Sequence, residues 1–392
     1  MGSTDGAPAV SERARIWAST MLGNPTEQAD LVLAHGERHP PLLARPVPRE
    51  AREEAERLLL APGATRAVGA GNRALEEEPD PQRTCFERDR DRILHSPAFR
   101  RLAGKTQVFV HPEDHQRTRL THALEVAQVA VAVGRATGLN TELLAAMSYG
   151  HDVGHTPGAH AGETALEIFV PGFHHARWGA DVVLAPLNLC LETLDGVRCH
   201  SWSLPSPSTP EGHVLSWADR IAYCTHDFED AVRAGIVTPA ELPDEVAEVA
   251  GTTRSRQLGS FIQALTEGIC DHGLVGMAPE PAAALAALRA FNYERIYMRP
   301  ASVAQGDAVI AVLRALVEFF LGHPERVPNK GPGVDPLHAA VSYVAGMTDR
   351  FAVTAAVDLL GWRIDRLPRG IDSPYGGGLA GVPACDTADA AQ

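Results

Sequence analysis

The chain has 392 residues, of which 45% are hydrophobic and 21% charged. This balance is typical of a globular protein with a core large enough for one large or two moderate domains, and it excludes collagen-like, mucin-like and wholly disordered chains. The formal net charge of −14 argues against a broad basic surface for duplex nucleic acid, while a local basic pocket stays open.

The sequence carries no signal for a membrane or a secretory pathway. A membrane helix needs about 20 apolar residues, and the longest apolar stretch, 308–321, is interrupted by Arg314 and Glu318. The N-terminus lacks a basic segment followed by an apolar run. The six cysteines form no CxxC pair, which favours reduced, mostly buried thiols over a disulfide framework. We therefore expect a cytoplasmic protein.

In chain order, residues 1–82 read as a partly flexible extension, because Pro, Ala, Arg and Glu dominate and only a short helix near 49–60 is predicted. Helical periodicity then prevails. It predicts helices over 118–137, from Thr141 to about His151, and over 211–234, 281–291, 302–321, 336–347 and 351–360. The only strand signal is a short hairpin near 106–110. Residues 369–392 are rich in Gly, Ala and Asp, which predicts a disordered tail. The fold class is mostly α-helical.

Histidines are concentrated in one part of the chain. Of 17 histidines, 11 lie between His111 and His226. Imidazole is both a common metal ligand and the side chain that titrates near neutral pH, so the concentration favours metal or acid–base chemistry. Any single histidine is more often a surface or satisfied core residue, and the two His-Asp dipeptides prove nothing alone.

A combination of residues strengthens the metal interpretation. His122, the pair His151-Asp152, and Asp219 fall on three different predicted helices. Two imidazoles and two carboxylates that project into one bundle would bind one divalent cation and leave positions for water or phosphate oxygen. A shared metal would also offset the desolvation cost of four polar residues in a helical core.

Several blocks resemble one known family. Those around the ligand candidates are Arg119-Leu-Thr-His122, His151-Asp-Val-Gly-His155 and Asp219-Arg-Ile-Ala-Tyr223. The others include the block from His95 to Phe109, which contains Leu-Ala-Gly-Lys-Thr-Gln, and Gly346-Met-Thr-Asp-Arg350. In this order they resemble the deoxyguanosine triphosphate triphosphohydrolase family of HD-domain phosphohydrolases. The resemblance implies a catalytic region over 83–368, with an HD helical bundle at about 115–235 and additional C-terminal helices.

The resemblance also implies roles for single residues. The metal ligands would be His122, His151, Asp152 and Asp219. The catalytic group would be His160 as general acid, Glu163 as the carboxylate that orients it, and His155 against the phosphates. The substrate-binding residues would be Gln107, Arg119, His175, Arg220, Tyr223 and Asp227. Tyr223 and Asp227 would contact the deoxyribose, Gln107 and Asp227 would read its 3′ hydroxyl, and the two arginines would bind phosphate. Tyr297 and Arg350 are further candidates near the pocket.

Two segments depart from the family pattern. Gly158-Ala159 stands where the family generally has Phe-Gly, so the packing of that turn differs. Phe173-His174-His175-Ala176 stands where the family has Phe-Glu-His-Asn, so the groups around His175 differ.

The implied reaction is hydrolysis of deoxynucleoside triphosphates, dGTP among them, to deoxynucleoside and inorganic triphosphate. The cofactor would be a divalent metal ion, and Mn, Mg, Fe, Co, Ni and Zn are all compatible with such a site; Mg would also accompany the substrate. A homo-oligomer, hexameric in many relatives, is implied, and single-stranded DNA stays open as a partner.

The alternatives are another HD-domain nucleotide phosphohydrolase (a nucleotidase or phosphodiesterase) and a catalytically weakened nucleotide-sensing or single-strand-binding protein.

Overall fold

The computed structural model describes residues 11–20, 23–25, 31–35, 40, 42–112, 115–328, 331 and 333–370. The predicted tail at 369–392 lies outside these residues except for Arg369 and Gly370. The chain divides into two compact units, residues 1–47 and residues 48–392. The described part of the first unit contains helix α1 (Glu12–Ser19) and an antiparallel pair of short strands, β1 (Asn24–Pro25) and β2 (Val32–Leu33).

The second unit is built from helices. In its described residues these are α2 (Arg49–Leu59), α3 (Cys85–His95), α4 (Pro97–Arg101), α5 (Arg119–Thr137), α6 (Thr141–Gly150), α7 (His160–Leu166), α8 (His175–Trp178), α9 (Leu191–Cys199), α10 (Pro210–Arg233), α11 (Asp244–Val249), α12 (Arg254–His272), α13 (Pro279–Asn292), α14 (Pro300–Gly322), α15 (Pro336–Ala345) and α16 (Asp349–Leu360). The prediction of a mostly helical chain is confirmed, and each helix predicted from periodicity is present. Helices α3, α9 and α12 were not singled out from the sequence.

Local capping explains where the central helices begin and end. The Asn140 side chain accepts hydrogen bonds from the Glu142 and Leu143 amides and starts α6, and Thr209 caps α10 with Pro210 in its first turn. Gly138, with a φ of 71°, ends α5 in the left-handed conformation. These caps place α5 and α6 as consecutive antiparallel helices joined by a short turn.

Three groups of buried apolar side chains hold the unit together. The largest lies among α5, α6, α10, α12 and α13, and includes Val126, Met147 and Phe228. A second group joins α7 to the C-terminal helices α14, α15 and α16. A third group packs α3, α4 and α9 against α5 and α6. Helices α5, α6 and α10, which carry the predicted metal ligands, therefore belong to one packed core.

Residues 48–82 belong to the second compact unit. Ala64 and Ala67 are buried in the largest apolar group, and Arg73 forms a buried ion pair with Asp89 at 2.6 Å. Much of the segment that composition describes as an extension is therefore part of the folded unit. Composition could not reveal this, because the segment is attached to α3 by the buried pair Arg73–Asp89, whose charged side chains read as surface residues in the sequence.

The predicted hairpin at 106–110 is wrong. In this segment Thr106 forms a single antiparallel bridge with Thr118, and residues 107–110 are bends. The reason is tertiary, because the Thr106 amide donates to the carboxylate of Asp349 at 2.9 Å rather than to a neighbouring strand. No helix in the described part of the chain is long and apolar enough to cross a membrane.

Candidate metal centre and active site

The four predicted metal ligands converge. His122 lies in the first turn of α5, His151 and Asp152 follow the end of α6, and Asp219 lies within α10. His122 Nε2 is 3.0 Å from Asp219 Oδ1 and 3.8 Å from Asp152 Oδ2. His151 Nε2 is 3.4 Å from Asp152 Oδ1 and 3.7 Å from Asp219 Oδ1. Ligands held about 2.1 Å from one ion are separated by about 3 Å or more, so these distances suit a shared divalent cation.

The hydrogen bonds of His151 support this arrangement. Its Nδ1 lies 2.6 Å from the Ser148 carbonyl oxygen, which can only accept, so Nδ1 carries the proton. Nε2 then carries a lone pair, and among the described residues this buried atom has no hydrogen-bond partner. Burial lowers the pKa of His151, which keeps the imidazole neutral as a metal ligand must be. The residues therefore fit a metal ion.

The charge of Asp152 is also stabilised. Burial opposes ionisation, but the adjacent guanidinium of Arg119 outweighs it and holds the pKa of Asp152 well below its usual range. Arg119 donates a hydrogen bond from its guanidinium to Asp152 Oδ2, and both side chains are almost fully buried. Arg119 thus contacts Asp152, one of the predicted metal ligands. The binding of triphosphate by Arg119 stays a prediction.

Close backbone packing brings a second group of histidines to the same place. A Cβ on Gly154 would lie 2.1 Å from the His175 carbonyl oxygen, so only glycine permits this approach. His155 Nε2 is 3.3 Å and His175 Nε2 3.7 Å from Asp152 Oδ1. The rings of His155 and His175 stack with centroids 3.7 Å apart. The imidazoles of His155 and His175 thus adjoin the metal ligand Asp152 on one side.

Glu163 organises the predicted general acid. Its Oε2 is 2.6 Å from His160 Nδ1, and its Oε1 is 2.6 Å from His175 Nδ1 and accepts from the His175 amide at 2.7 Å. Despite burial, the bonds from His160 and His175 hold the pKa of Glu163 well below its usual range. The His160 side chain is 74% exposed, so its second nitrogen is accessible to a ligand.

Hydrogen bonds order the altered block at 173–176. His174 Nδ1 accepts a hydrogen bond from the Ala176 amide at 3.2 Å and so caps α8. Burial lowers the pKa of His174 to about 4, which keeps that nitrogen free to accept. The groups around His175 are Glu163 on one side and His200 on the other, with His200 Nε2 at 3.2 Å from His175 Nε2.

The altered turn at 158–159 has a steric explanation. A Cβ on Gly158 would meet Val309 Cγ1 at 2.4 Å, so Val309 of α14 fills the space that a side chain at 158 would need. Ala159 adopts a φ of 59° and a ψ of −129°, a conformation that strongly favours glycine. The turn is therefore strained immediately before His160.

The predicted sugar-binding residues lie further along α10. Asp227 Oδ2 accepts from the Tyr297 hydroxyl at 2.5 Å, and Arg117 donates to Asp227 Oδ1. The Tyr223 hydroxyl accepts from Arg289 Nε at 2.9 Å. Burial raises the pKa of Asp227 above its usual value despite the guanidinium of Arg117. The structure thus joins Tyr297 to Asp227 by a hydrogen bond, and their contact with a sugar stays a prediction.

The remaining predicted site residues show other contacts. Gln107 Oε1 is buried and has no partner within the described structure. The Arg220 guanidinium stacks on the ring of Trp202 at 3.4 Å. Arg350, at the start of α16, is exposed. The roles of these residues toward substrate stay predictions.

Sequence reasoning missed three residues at this site. His200 follows α9 and contacts His175, and its only sequence signal was its place within the histidine-rich segment. Arg117 pairs with both Asp227 and Asp230, the latter at 2.8 Å. Lys105 is 2% exposed and reaches the turn that carries His155. Burial lowers the pKa of Lys105 to about 7.

Comparison with known proteins defines the class. A model of the HD domain matches residues 119–224, and a model of the phosphohydrolase-associated domain matches residues 275–357. Together with the buried histidine–aspartate cluster, these matches define an HD-domain phosphohydrolase.

Curated relatives define the family more narrowly. Proteins named deoxyguanosinetriphosphate triphosphohydrolase-like protein are 38% identical in each of three organisms. The Caldanaerobacter subterraneus protein aligns over 78% of this chain and 93% of its own length, that of Clostridium perfringens over 77% and 94%, and that of Desulfatibacillum aliphaticivorans over 78% and 96%. The chain belongs to this family of deoxyguanosinetriphosphate triphosphohydrolase-like proteins.

Proposed function

We propose that this phosphohydrolase cleaves deoxynucleoside triphosphates, dGTP among them, to the deoxynucleoside and inorganic triphosphate. The observation that carries the proposal is the adjacency of two groups. His122, His151, Asp152 and Asp219 form a cluster suited to one divalent cation. The His160–Glu163 pair lies beside it through His155 and His175. The names of the curated relatives support the same substrate class.

The four ligand candidates would hold the metal ion, and Mn, Mg, Fe, Co, Ni and Zn all suit their nitrogen and oxygen donors. A bound divalent ion would supply Lewis-acid polarisation of a phosphoryl group and an activated water. Mg would also accompany the substrate. Arg119 would hold Asp152 in its charged form in this site, in keeping with its buried ion pair.

His160 would protonate the departing 5′ oxygen. Because the Glu163 carboxylate accepts from Nδ1, the proton available for transfer is the one on Nε2 of the imidazolium. Glu163 orients the ring and stabilises its positive charge. His155 and His175, stacked beside it, would contact phosphoryl oxygens together with Arg119 and Arg220.

The sugar would lie along α10. Tyr223 and Asp227 are four residues apart and therefore share one face of that helix. A sugar packed closely on Tyr223 would leave no room for a 2′ hydroxyl, which gives preference for deoxynucleotides by exclusion. Gln107 Oε1 is a buried acceptor that has no donor among the described residues, so a hydroxyl of the substrate would satisfy it.

The proposal also includes an assembly state and a second ligand. A homo-oligomer, such as a hexamer, is proposed on family membership, and light scattering of the purified chain tests it. Single-stranded DNA stays a secondary candidate ligand, which a fluorescence anisotropy titration with a labelled oligonucleotide examines directly.

Phosphorus NMR tests the reaction. Purified protein loaded with one metal at a time would be incubated with dGTP, each of the other three deoxynucleotides, and GTP. Inorganic triphosphate released from deoxynucleotides and not from GTP is the expected result. Monophosphate or pyrophosphate as product would favour a nucleotidase or phosphodiesterase instead. Nucleotide binding without product across all metals would favour a sensing protein.

A further inference from the structure

Two of the motif blocks recognised in the sequence, around Lys105 and around Asp349, meet in the structure. Both contact the turn that connects α6 to α7, which contains His155 and ends at His160. Neither Lys105 nor Asp349 has a part in the proposed chemistry. Both are buried, with 2% and 5% of their surface exposed. Burying a charged side chain is costly unless its polar atoms form hydrogen bonds or ion pairs. The contacts of Lys105 and Asp349 therefore indicate what the two side chains do.

Lys105 joins the turn to the end of α15. Its Nζ donates one hydrogen bond to the His155 carbonyl oxygen and another to the Ala345 carbonyl oxygen at 2.9 Å. The Lys105 carbonyl in turn accepts from the Arg119 amide at 3.3 Å, at the start of α5. One residue therefore connects the His155 backbone, the C-terminal helices and the helix that carries His122.

Asp349, the first residue of α16, supports the other end of the turn. Its Oδ1 accepts from the Gly158 amide at 3.0 Å. Its Oδ2 accepts from the Thr106 amide at 2.9 Å and from the Thr106 hydroxyl. The carboxylate thus binds the turn and the residue next to Lys105 at once.

The turn needs this support because its backbone is strained. Ala159, between Gly158 and His160, has a positive φ of 59°. Such a conformation costs about 1–3 kcal/mol and persists only when the surrounding contacts impose it. The bonds of Lys105 to His155 and of Asp349 to Gly158 fix the backbone of the turn just before Ala159.

We propose that Lys105 and Asp349 are positioning residues that hold His155 and His160 in register with the metal ligands. This makes the C-terminal helices α15 and α16 part of the catalytic unit. The expected loss of turnover rests on the proposed function. The expected displacement of His155 and His160 does not depend on the substrate. A misplacement of about 1 Å at a reacting group can lower turnover by about 100-fold.

The kinetic test uses three variants and a matched control. Asp349→Asn replaces one acceptor oxygen by a donor, Lys105→Met removes both hydrogen bonds at similar length, and Thr106→Val removes only the hydroxyl bond to Asp349. Asp358→Asn, at an exposed position of the same helix α16, is the control. We expect kcat to fall about 10- to 100-fold in the first two variants and less in Thr106→Val, with KM and bound metal close to those of the unchanged protein.

A spectroscopic test separates this inference from the reaction itself. In protein labelled with ¹⁵N-histidine and loaded with Zn²⁺, the imidazole signals of His155 and His160 should shift in Asp349→Asn and Thr106→Val, while those of His122 and His151 stay in place. Unchanged His155 and His160 signals, or equal shifts in all four, would overturn the positioning role. If the unchanged protein releases no triphosphate, the proposed function fails and these signals still decide the inference. Thr106→Val is the mildest change and keeps the test decisive if the other variants do not fold.

Discussion

His200 Nε2 lies 3.2 Å from His175 Nε2, and both imidazoles are buried. His200 Nδ1 is 2.8 Å from the Val197 carbonyl oxygen, so it carries the proton and leaves Nε2 as an acceptor. Burial and the neighbouring His151 and His175 lower the pKa of His200 to about 3, which keeps it neutral. His200 therefore supports His175 from the side opposite Glu163.

The first prediction concerns this support. His200→Ala should lower kcat/KM about 10- to 100-fold, the usual cost of removing a group that orients a site histidine. Metal analysis and steady-state kinetics measure it. His213→Ala is the matched control, because His213 lies in the same histidine-rich segment and its hydrogen bond to Ser206 is exposed. Equal activity in the two variants would show that His200 only fills space.

The second prediction concerns the metal. His151→Ala should abolish metal binding, because it removes a neutral imidazole whose Nε2 faces both carboxylates. Elemental analysis of purified protein gives the metal content per chain. His213→Ala again serves as the control. Full metal retention in His151→Ala would refute the assignment of this cluster.

The third prediction separates acid catalysis from metal binding. His160→Ala should keep the metal and lower kcat by about 100- to 10,000-fold, the usual contribution of a general acid. Glu163→Gln should act in the same direction, since its carboxylate orients both His160 and His175. Product formation with dGTP is the measurement. An active His160→Ala variant would exclude this residue as the acid.

The fourth prediction concerns the strained turn. Ala159→Gly should raise the free energy of unfolding by about 1 kcal/mol, because glycine adopts the observed φ of 59° without steric cost. Ala161→Gly, in the first turn of α7, should instead destabilise the protein by about 1 kcal/mol, since the change there adds backbone freedom and removes a methyl packed against the second apolar group. Urea denaturation of both variants compares them. A destabilised Ala159→Gly would show that Ala159 is not strained.

The fifth prediction concerns pH. Burial, followed by the charge of Arg101, lowers the pKa of Lys105 from 10.5 to about 7, with Asp349 opposing the change. Between these values the unfolded chain binds one more proton than the folded chain, so stability rises with pH across that window. The measured quantity is the difference in free energy of unfolding between the unchanged protein and Lys105→Met. Below pH 7 this difference should not change with pH. It should then rise by about 1.4 kcal/mol per pH unit. A difference that stays constant from pH 6 to 9 would contradict this.

The sequence by itself determined several of the helices, α5, α6 and α10 among them, and the metal ligand candidates. Helical spacing, with cap residues such as Asn140 and a terminal Gly138, predicts α5 and α6 because capping and periodicity act within a few residues. It also placed His122, His151-Asp152 and Asp219 on separate predicted helices. In the structure each of the two imidazoles lies 3.0–3.8 Å from both carboxylates.

Only the tertiary structure decided which polar groups support the site. Lys105 and Ala345 are 240 residues apart in the chain, and Thr106 and Asp349 are 243 apart. No local pattern marks such pairs, which is why a hairpin was wrongly predicted at 106–110. Buried polar atoms must find partners wherever the packed helices provide them. The partners of Lys105, His200 and Asp349 were therefore settled by the packing of distant helices.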